Sequence, residues 1–473
     1  MIDKNGNTSF IQIVVAISFS LFITNLDVSI VNVALPTLSK TYNVDVDSVS
    51  RVILVYVLGM ASFLPVFGKI SDIKGSEKIF NLGYLVFAAS SVLCALSTGL
   101  VSLNVFRFFQ GIGSAMLLAN FAAIIIKYLP VDKRGKAFGI SSVFGGVGMA
   151  AGLPIGGFLV NYFSWRWIFF INIPASLIGF VLAYKVLKRE PSPVNNEKFD
   201  ILGAVYSIAG LMSLLFVLNT GSKAGWLSLQ SIVIFIVSLV FIILFIRQER
   251  QSSSPLLDLG YLKNLKMSFG LVCAACFIVI LDGLYFLFPF YFEFVCNFSP
   301  AKVGLTLMVG SLTSIIVSPL SGHLADKYKP RVVTRISIFL LIISNILFLF
   351  YDSQTPYWFI IMSFLIFGVS LALFFAANST LIMSHAQKGK EGMLSSLSSV
   401  NSYLATLIGV CLFSVIFSYG YSLSEINASN IQFYSQKLLA GYKNSIYIAI
   451  IISLVALISS YVAKESEFKK QEV

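Results

Sequence analysis

Charge is scarce in this chain: of 473 residues only 11% are Asp, Glu, Lys or Arg, where a soluble domain carries about 25%. So little charge cannot cover a water-facing surface, which excludes an ordinary soluble protein. Histidine occurs only twice, and no His pairs with an acidic cluster or a nucleophile in a catalytic pattern, which argues against an enzyme. No organic cofactor and no metal ion is expected. Cysteine is nearly absent too: Cys94, Cys273, Cys276 and Cys411 lie inside apolar stretches and Cys296 stands alone near the end of one, so no disulfide framework is expected. Cys273 and Cys276 form a CxxC without a second ligand pair and read as packing residues.

What the chain has instead is apolar length. Apolar residues make up 57% of it, including 43 Phe, and they gather in recurrent stretches of roughly 20 residues, each long enough to cross a hydrocarbon core of about 30 Å as a helix. The stretches fall near 10–33, 51–70, 79–98, 101–126, 138–162, 168–184, 201–221, 229–246, 267–291, 302–322, 333–351, 356–380, 394–420 and 443–463. The expected fold is therefore an all-α integral membrane protein of fourteen transmembrane helices. The first stretch is followed by no small-residue cleavage site and reads as a retained span.

The net charge of +12 would suggest nucleic acid in a soluble chain, but here the basic residues sit between apolar spans. Lys69, Lys74, Lys78, Lys127, Lys133, Arg134 and Lys136 crowd alternate connections, and the opposite set is sparse, with Lys40, Arg51, Arg166 and Lys223 among its few. The positive-inside rule then predicts that both termini are cytoplasmic in a multi-pass cell-membrane protein. The expected partners are a small-molecule substrate, protons and membrane lipid, without nucleic acid, and the expected state is a monomer.

An internal repeat is visible. The second span ends in PVFGKISD (Pro65 to Asp72) and the tenth in PLSGHLAD (Pro319 to Asp326), both Pro-x-x-Gly-x-x-x-Asp. The copies lie farther apart than six spans and short loops allow, so two extra spans must stand between them. This predicts a six-helix lobe over 1–190, an inserted helix pair with linkers over 191–262, and a second six-helix lobe over 263–473. Repeats of this kind are how many secondary transporters build two lobes around a central site. Asp27 precedes Asp72 by nearly the interval by which Asp282 precedes Asp326, so the two acids inside spans are repeat-equivalent.

A charge near a bilayer centre costs at least about 2.5–3.5 kcal/mol and usually marks an ion or substrate path. Asp27 stands roughly 21–25 Å up the first span, and Arg107 roughly 9 Å below the outer end of the fourth, where that span begins, by the helical rise of 1.5 Å per residue. They share a depth in the outer half. The expectation is that both face a cavity of the first lobe and feel each other's charge, the alternative being a fixed ion pair that holds spans together. Burial disfavours a charged carboxylate and a neighbouring cation favours it, which suits an acid to proton exchange. Asp282 is a candidate to bind a cation or carry a second proton, against a structural hydrogen-bonded acid. Glu293, near the outer boundary, is a candidate substrate contact, against a plain solvated residue. His323 and His385 sit at cytoplasmic span ends and read as interfacial residues. Gly148, Gly152 and Gly156, at four-residue steps, leave one helix face bare for a neighbouring backbone, and Pro154 adds a kink at that level, at a seal or hinge. The polar segment from about Tyr421 to Tyr442 reads as an external linker.

Several motifs together resemble the Major Facilitator Superfamily, and within it the fourteen-span drug:proton antiporters. LDVSIVNVALP (Leu26 to Pro36) is similar to that group's first-span signature, which implies that Asp27 supports proton coupling or cation recognition. GKISDIKG resembles the superfamily's loop motif through Gly68, Asp72 and Gly75, implying a cytoplasmic gate that Gly322 and Asp326 repeat; Ile73, Ser76 and Glu77 stand where the motif is usually basic. RFFQGIGSA (Arg107 to Ala115) resembles the motif whose arginine is associated with proton transfer, and GMAAGLPIGG the antiporter motif, with Pro154 one place late. WRWIFFINIP (Trp165 to Pro174), FDILG (Phe199 to Gly203) and PLLDL (Pro255 to Leu259) look like connecting signatures of the group. The resemblance implies alternating-access, proton-coupled efflux of small lipophilic or cationic compounds; the rival readings are a dedicated exporter of one amphiphilic metabolite, lipid, peptide or antibiotic and, in another class, a channel or membrane receptor.

Overall fold

The computed structural model describes residues 10–187, 200–224, 228–251, 259–386, 391–418 and 431–465, and no strand occurs among them. The helices are α1 (Phe10–Tyr42), α2 (Val46–Lys74), α3 (Ser76–Ala95), α4 (Leu100–Tyr128), α5 (Val131–Tyr162), α6 (Trp167–Phe170), α7 (Asn172–Val186), α8 (Ile201–Ala224), α9 (Leu229–Gln251), α10 (Leu265–Phe294), α11 (Pro300–Tyr328), α12 (Pro330–Leu349), α13 (Tyr357–Met383), α14 (Glu391–Ser418) and α15 (Ile431–Val462). Thirteen segments among the described residues are long and apolar enough to cross a membrane, α6 and α7 together making one of them, and Leu202–Leu214 of α8 is a shorter apolar stretch.

Hydrocarbon offers no hydrogen bonds, so a spanning backbone must satisfy itself, and the helix does this within one segment. Its outer face needs only to be apolar. On α9 the exposed residues include Val233, Ile236, Val240 and Ile243, a pattern that suits lipid and would be a liability in water. The helices outrun the hydropathy-based spans because helical hydrogen bonding continues into polar flanks: α1 runs on through Pro36 to Tyr42. The largest correction is at the C-terminal end. The polar segment read as a linker is helical from Ile431 onward, and its preceding part, 421–430, lies outside the described residues.

The chain forms two compact units, the first comprising Met1–Tyr42 and Asp47–Leu257, the second Asn43–Val46 and Asp258–Val473. The repeat seen in the sequence reappears in their packing. In the first unit α1 packs on α5 and α7, and α3 on α4 and α7; in the second α10 packs on α14 and α15, and α12 on α13 and α15. The pair α8 and α9 pack on each other. Glycine makes the equivalent contacts close. A Cβ at Gly152 would stand 2.7 Å from Leu26 O and one at Gly156 2.9 Å from Ile30 O, so the bare face of α5 lies against the backbone of α1. The counterpart is Gly409 of α14, where a Cβ would fall 2.5 Å from Val279 O of α10. Helices in lipid gain little from apolar burial against each other, so such close backbone contact is a main source of their cohesion.

Candidate functional site

The first unit gathers its polar side chains around one carboxylate. Asp27 lies on α1 and Arg107 on α4, and they form an ion pair, Arg107 Nη1 to Asp27 Oδ2 at 2.6 Å, with both side chains 0% exposed. Arg107 and Gln110 are three residues apart on α4 and so share a face. Gln110 Nε2 donates to Asp27 Oδ1 at 3.0 Å and to Ser91 Oγ at 2.9 Å, while its Oε1 accepts from Arg107 Nη1 at 2.7 Å. Asn172, the first residue of α7, donates from Nδ2 to Asp27 Oδ1 at 2.6 Å. From α2, Val52 O accepts from Arg107 Nε at 3.1 Å, and the Tyr56 ring lies 4.1 Å below the guanidinium carbon.

Five helices therefore contribute to the cluster, three of them (α1, α4 and α7) at Asp27 itself and α2 and α3 through Arg107 and Gln110. A buried ion pair holds together when its remaining lone pairs and protons are also satisfied, and here three donors replace water around the carboxylate. The shared depth of Asp27 and Arg107 is borne out as direct contact. Their facing an open cavity is not: Asp27 is fully enclosed, because Gln110 and Asn172 supply the hydrogen bonds that water would have made. The cluster is not closed, however. Arg107 Nη2 and Asn172 Oδ1, both buried, have no hydrogen-bond partner among the described residues.

The sequence reading passed over Gln110 and Asn172, although both stand inside quoted motifs. The available signals were the three-residue step from Arg107 to Gln110 and a lone amide in the apolar run around Asn172.

The second unit treats its acid differently. Asp282 on α10 is half-buried, and Thr406 Oγ1 of α14 donates to its Oδ2 at 2.5 Å. Helix α13, the repeat counterpart of α4, contains no Lys or Arg, so the symmetry of acids is not a symmetry of ion pairs. Asp27 and Asp282 belong to different units, as do Asp27 and Glu293. Glu293 is only 6% exposed on α10, which corrects the solvated reading: the last turn of α10 remains within the packed bundle instead of emerging from it.

Around the repeated loop motif, Gly75 begins α3 with φ of 95°, a left-handed conformation that costs glycine nothing. A Cβ at Gly68 or Gly322 would meet nothing within 4 Å, so neither marks a close approach. The side chains of Asp72 and Asp326 lie outside the described residues. Glu77, the acid in a usually basic position, is buried and accepts from Lys127 Nζ at 2.6 Å and Tyr128 Oη at 3.0 Å. His323 is exposed and His385 half-buried. Gly148 meets Phe22 O of α1, Pro154 sits within α5, and Asp200 of FDILG caps α8 through Gly203 N at 2.8 Å and accepts from Gln248 of α9 at 3.0 Å. Of PLLDL only Leu259 is described.

The sequence from residue 17 to 410 matches the family described as Major Facilitator Superfamily. Among curated relatives, the riboflavin transporter RibZ of Clostridioides difficile is 28% identical over 408 residues, covering 86% of this chain and 88% of the relative. The multidrug resistance protein Stp of Mycobacterium tuberculosis is 27% identical over 406 residues, covering 85% of this chain and 75% of the relative. In fold, the crystal structure of a D-xylose-proton symporter is similar with a TM-score of 0.69 at 14% identity, covering 97% of this chain and 99% of that one.

Proposed function

We propose a function from one premise: this chain belongs to the Major Facilitator Superfamily, and so is a multi-pass membrane transporter. It exports small lipophilic or cationic compounds in exchange for protons, from the cell membrane, as a monomer with both termini in the cytoplasm. Its parts are a six-helix lobe, an inserted pair and a second six-helix lobe.

The observation that carries the reading is the enclosed carboxylate of Asp27, held by Arg107 at 2.6 Å, Gln110 at 3.0 Å and Asn172 at 2.6 Å. A proton delivered to that carboxylate removes the charge that holds the guanidinium, so the ties between α1, α4 and α7 weaken together. A charge change at one buried group thereby biases a packed bundle between two arrangements. Arg107 Nη2 and Asn172 Oδ1, unsatisfied in this arrangement, favour a second one in which they find partners. Asp27 and Arg107 couple the proton; Asp27, Asp282 and Glu293 contact substrate. Gly68, Asp72, Gly75, Gly322 and Asp326 work the gate, and Gly148, Gly152, Pro154 and Gly156 keep the seal between α1 and α5.

The test is efflux of a fluorescent cation from vesicles under an imposed pH gradient. Asp27→Asn is expected to reduce gradient-driven transport to the level of empty vesicles; undiminished transport removes Asp27 from the mechanism. A second reading, a dedicated exporter of one metabolite, is favoured by the relative named as a riboflavin transporter. A substrate panel that includes riboflavin separates the two.

A further inference from the structure

Helices α12 and α15 of the second unit run antiparallel along each other. Asn345 Nδ2 of α12 donates to Ser453 Oγ of α15 at 3.0 Å. Ten residues nearer the start of α12, roughly 15 Å away by the helical rise, Arg335 Nε and Nη2 both donate to Ser460 O at 3.3 Å. The guanidinium carbon lies 4.4 Å over the ring of Tyr461. Ser460 stands in the last turn of α15, where carbonyls lack partners within the helix, so the arginine caps that helix end. This uses two of its five N–H groups, and the residue stays part-exposed.

Deeper along the helices the surface beside Arg335 is apolar. Phe339, one turn along α12, is exposed, and so are Tyr461, Ile458 and Leu454 on one face of α15. At the helix ends the surface is basic. Lys327, Lys329 and Lys464 are exposed, and Arg331 stays 31% exposed while its Nε faces Glu465 Oε1 at 3.6 Å, too far for a hydrogen bond. The two segments that supply these residues, 326–336 and 461–473, hold seven basic and four acidic residues in the sequence, so positive charge is in excess with every acid counted.

Positive charge in a connection serves orientation. An arginine more than a turn inside α12, stacked on an exposed tyrosine where basic surface gives way to apolar surface, matches the division of a phospholipid into headgroup and chains. A phosphate accepts paired N–H groups of a guanidinium, and the ring of Tyr461 steadies that guanidinium from one side. Basic groups between membrane helices favour anionic headgroups over neutral ones.

We propose that the edge between α12 and α15 at Arg335 binds an anionic phospholipid, its phosphate on Arg335 and its chains along Phe339 and Ile458. The leaflet is the inner one on the topology proposed above; the site itself does not depend on it.

The test is native mass spectrometry of the full-length protein, freed of bound lipid in detergent and titrated with phosphatidylglycerol or phosphatidylcholine of matched chains. The unaltered protein is expected to retain phosphatidylglycerol at least fivefold more tightly, the worth of one basic residue at an anionic surface. Arg335→Gln, which keeps an amide able to reach Ser460 O, is expected to weaken phosphatidylglycerol about fivefold to tenfold. The double variant Lys329→Gln and Lys464→Gln changes only exposed side chains, keeps the test decisive if Arg335→Gln folds poorly, and is expected to weaken it about tenfold. Phosphatidylcholine changes less than twofold in each. Lys302→Gln, the same loss of charge at the opposite end of α11 from Lys327, changes phosphatidylglycerol less than twofold.

Equal retention of the two lipids by the unaltered protein, unchanged phosphatidylglycerol in both altered proteins, or an equal loss in Lys302→Gln would each overturn the site. Displacement of phosphatidylglycerol by an equal concentration of glycerol phosphate would overturn it in favour of a free anion. Retention is read without a pH gradient or a membrane sidedness, so its failure leaves proton-driven export standing, and export fails separately if efflux proves independent of Asp27.

Discussion

Neutralising one member of the buried pair at a time should cost more than neutralising both. In Asp27→Asn the shape is kept and the charge is lost. Gln110 and Asn172 both donate to Oδ1, so the new amide keeps its oxygen there and turns its NH₂ toward Arg107 Nη1, placing donor against donor where a 2.6 Å ion pair stood. Arg107 is left with the neutral acceptors Gln110 Oε1 and Val52 O and the face of Tyr56. An arginine does not escape by releasing its proton, and removing one partner of a buried pair costs about 3–5 kcal/mol. Arg107→Gln should cost less, because a buried carboxylate left alone can take up a proton. The double variant restores neutrality and should be more stable than Asp27→Asn alone, giving a coupling of about 3 kcal/mol, more than a hundredfold in the unfolding equilibrium. The assay is reversible unfolding in mixed SDS micelles followed by tryptophan fluorescence, for which the chain has 4 Trp. Effects that add to within about 0.5 kcal/mol would refute the claim that the two charges hold each other in a dry site.

Gly152→Leu should lower the yield of folded protein and its thermal stability, since its Cβ meets the backbone at Leu26 O and overpacking costs about 1–3 kcal/mol even where side chains can yield; Gly139→Ala, on the same helix with nothing within 4 Å, is the control and should melt no lower than the unaltered protein. Burial pushes the Cys296 thiol above its ordinary range, with a hydrogen bond to Tyr291 opposing. The raised value keeps it protonated at neutral pH, so alkylation by iodoacetamide should be slow near pH 7 and rise only beyond about 8.5; labelling at pH 7 as fast as a free thiol peptide, absent in Cys296→Ser, would contradict this.

Much of the fold was legible because membrane spans follow from a one-dimensional property, apolar length. The repeated Pro-x-x-Gly-x-x-x-Asp motifs revealed the doubled lobe, and the glycine step at 148, 152 and 156 anticipated the close packing of α5 on α1. The partners of Asp27 were half legible. Arg107 stands out because a charge in a span is rare, whereas Gln110 and Asn172 are neutral amides whose importance depends on which helix they turn toward. The solvated alternative for Glu293 failed for a related reason: hydropathy places a residue along the membrane normal but does not say how deeply its helix end is packed.

Composition and spacing alone dictate that this chain lives in a membrane as paired helical lobes with an acid inside each, since hydrocarbon accepts only helices or closed barrels and penalises every stray charge. Whether such an acid meets water, a cation or a ring of amides depends on contacts between helices far apart in the chain. The packed bundle alone resolves that, enclosing Asp27 among side chains of α4 and α7 and leaving Asp282 half-buried with a hydrogen bond from Thr406.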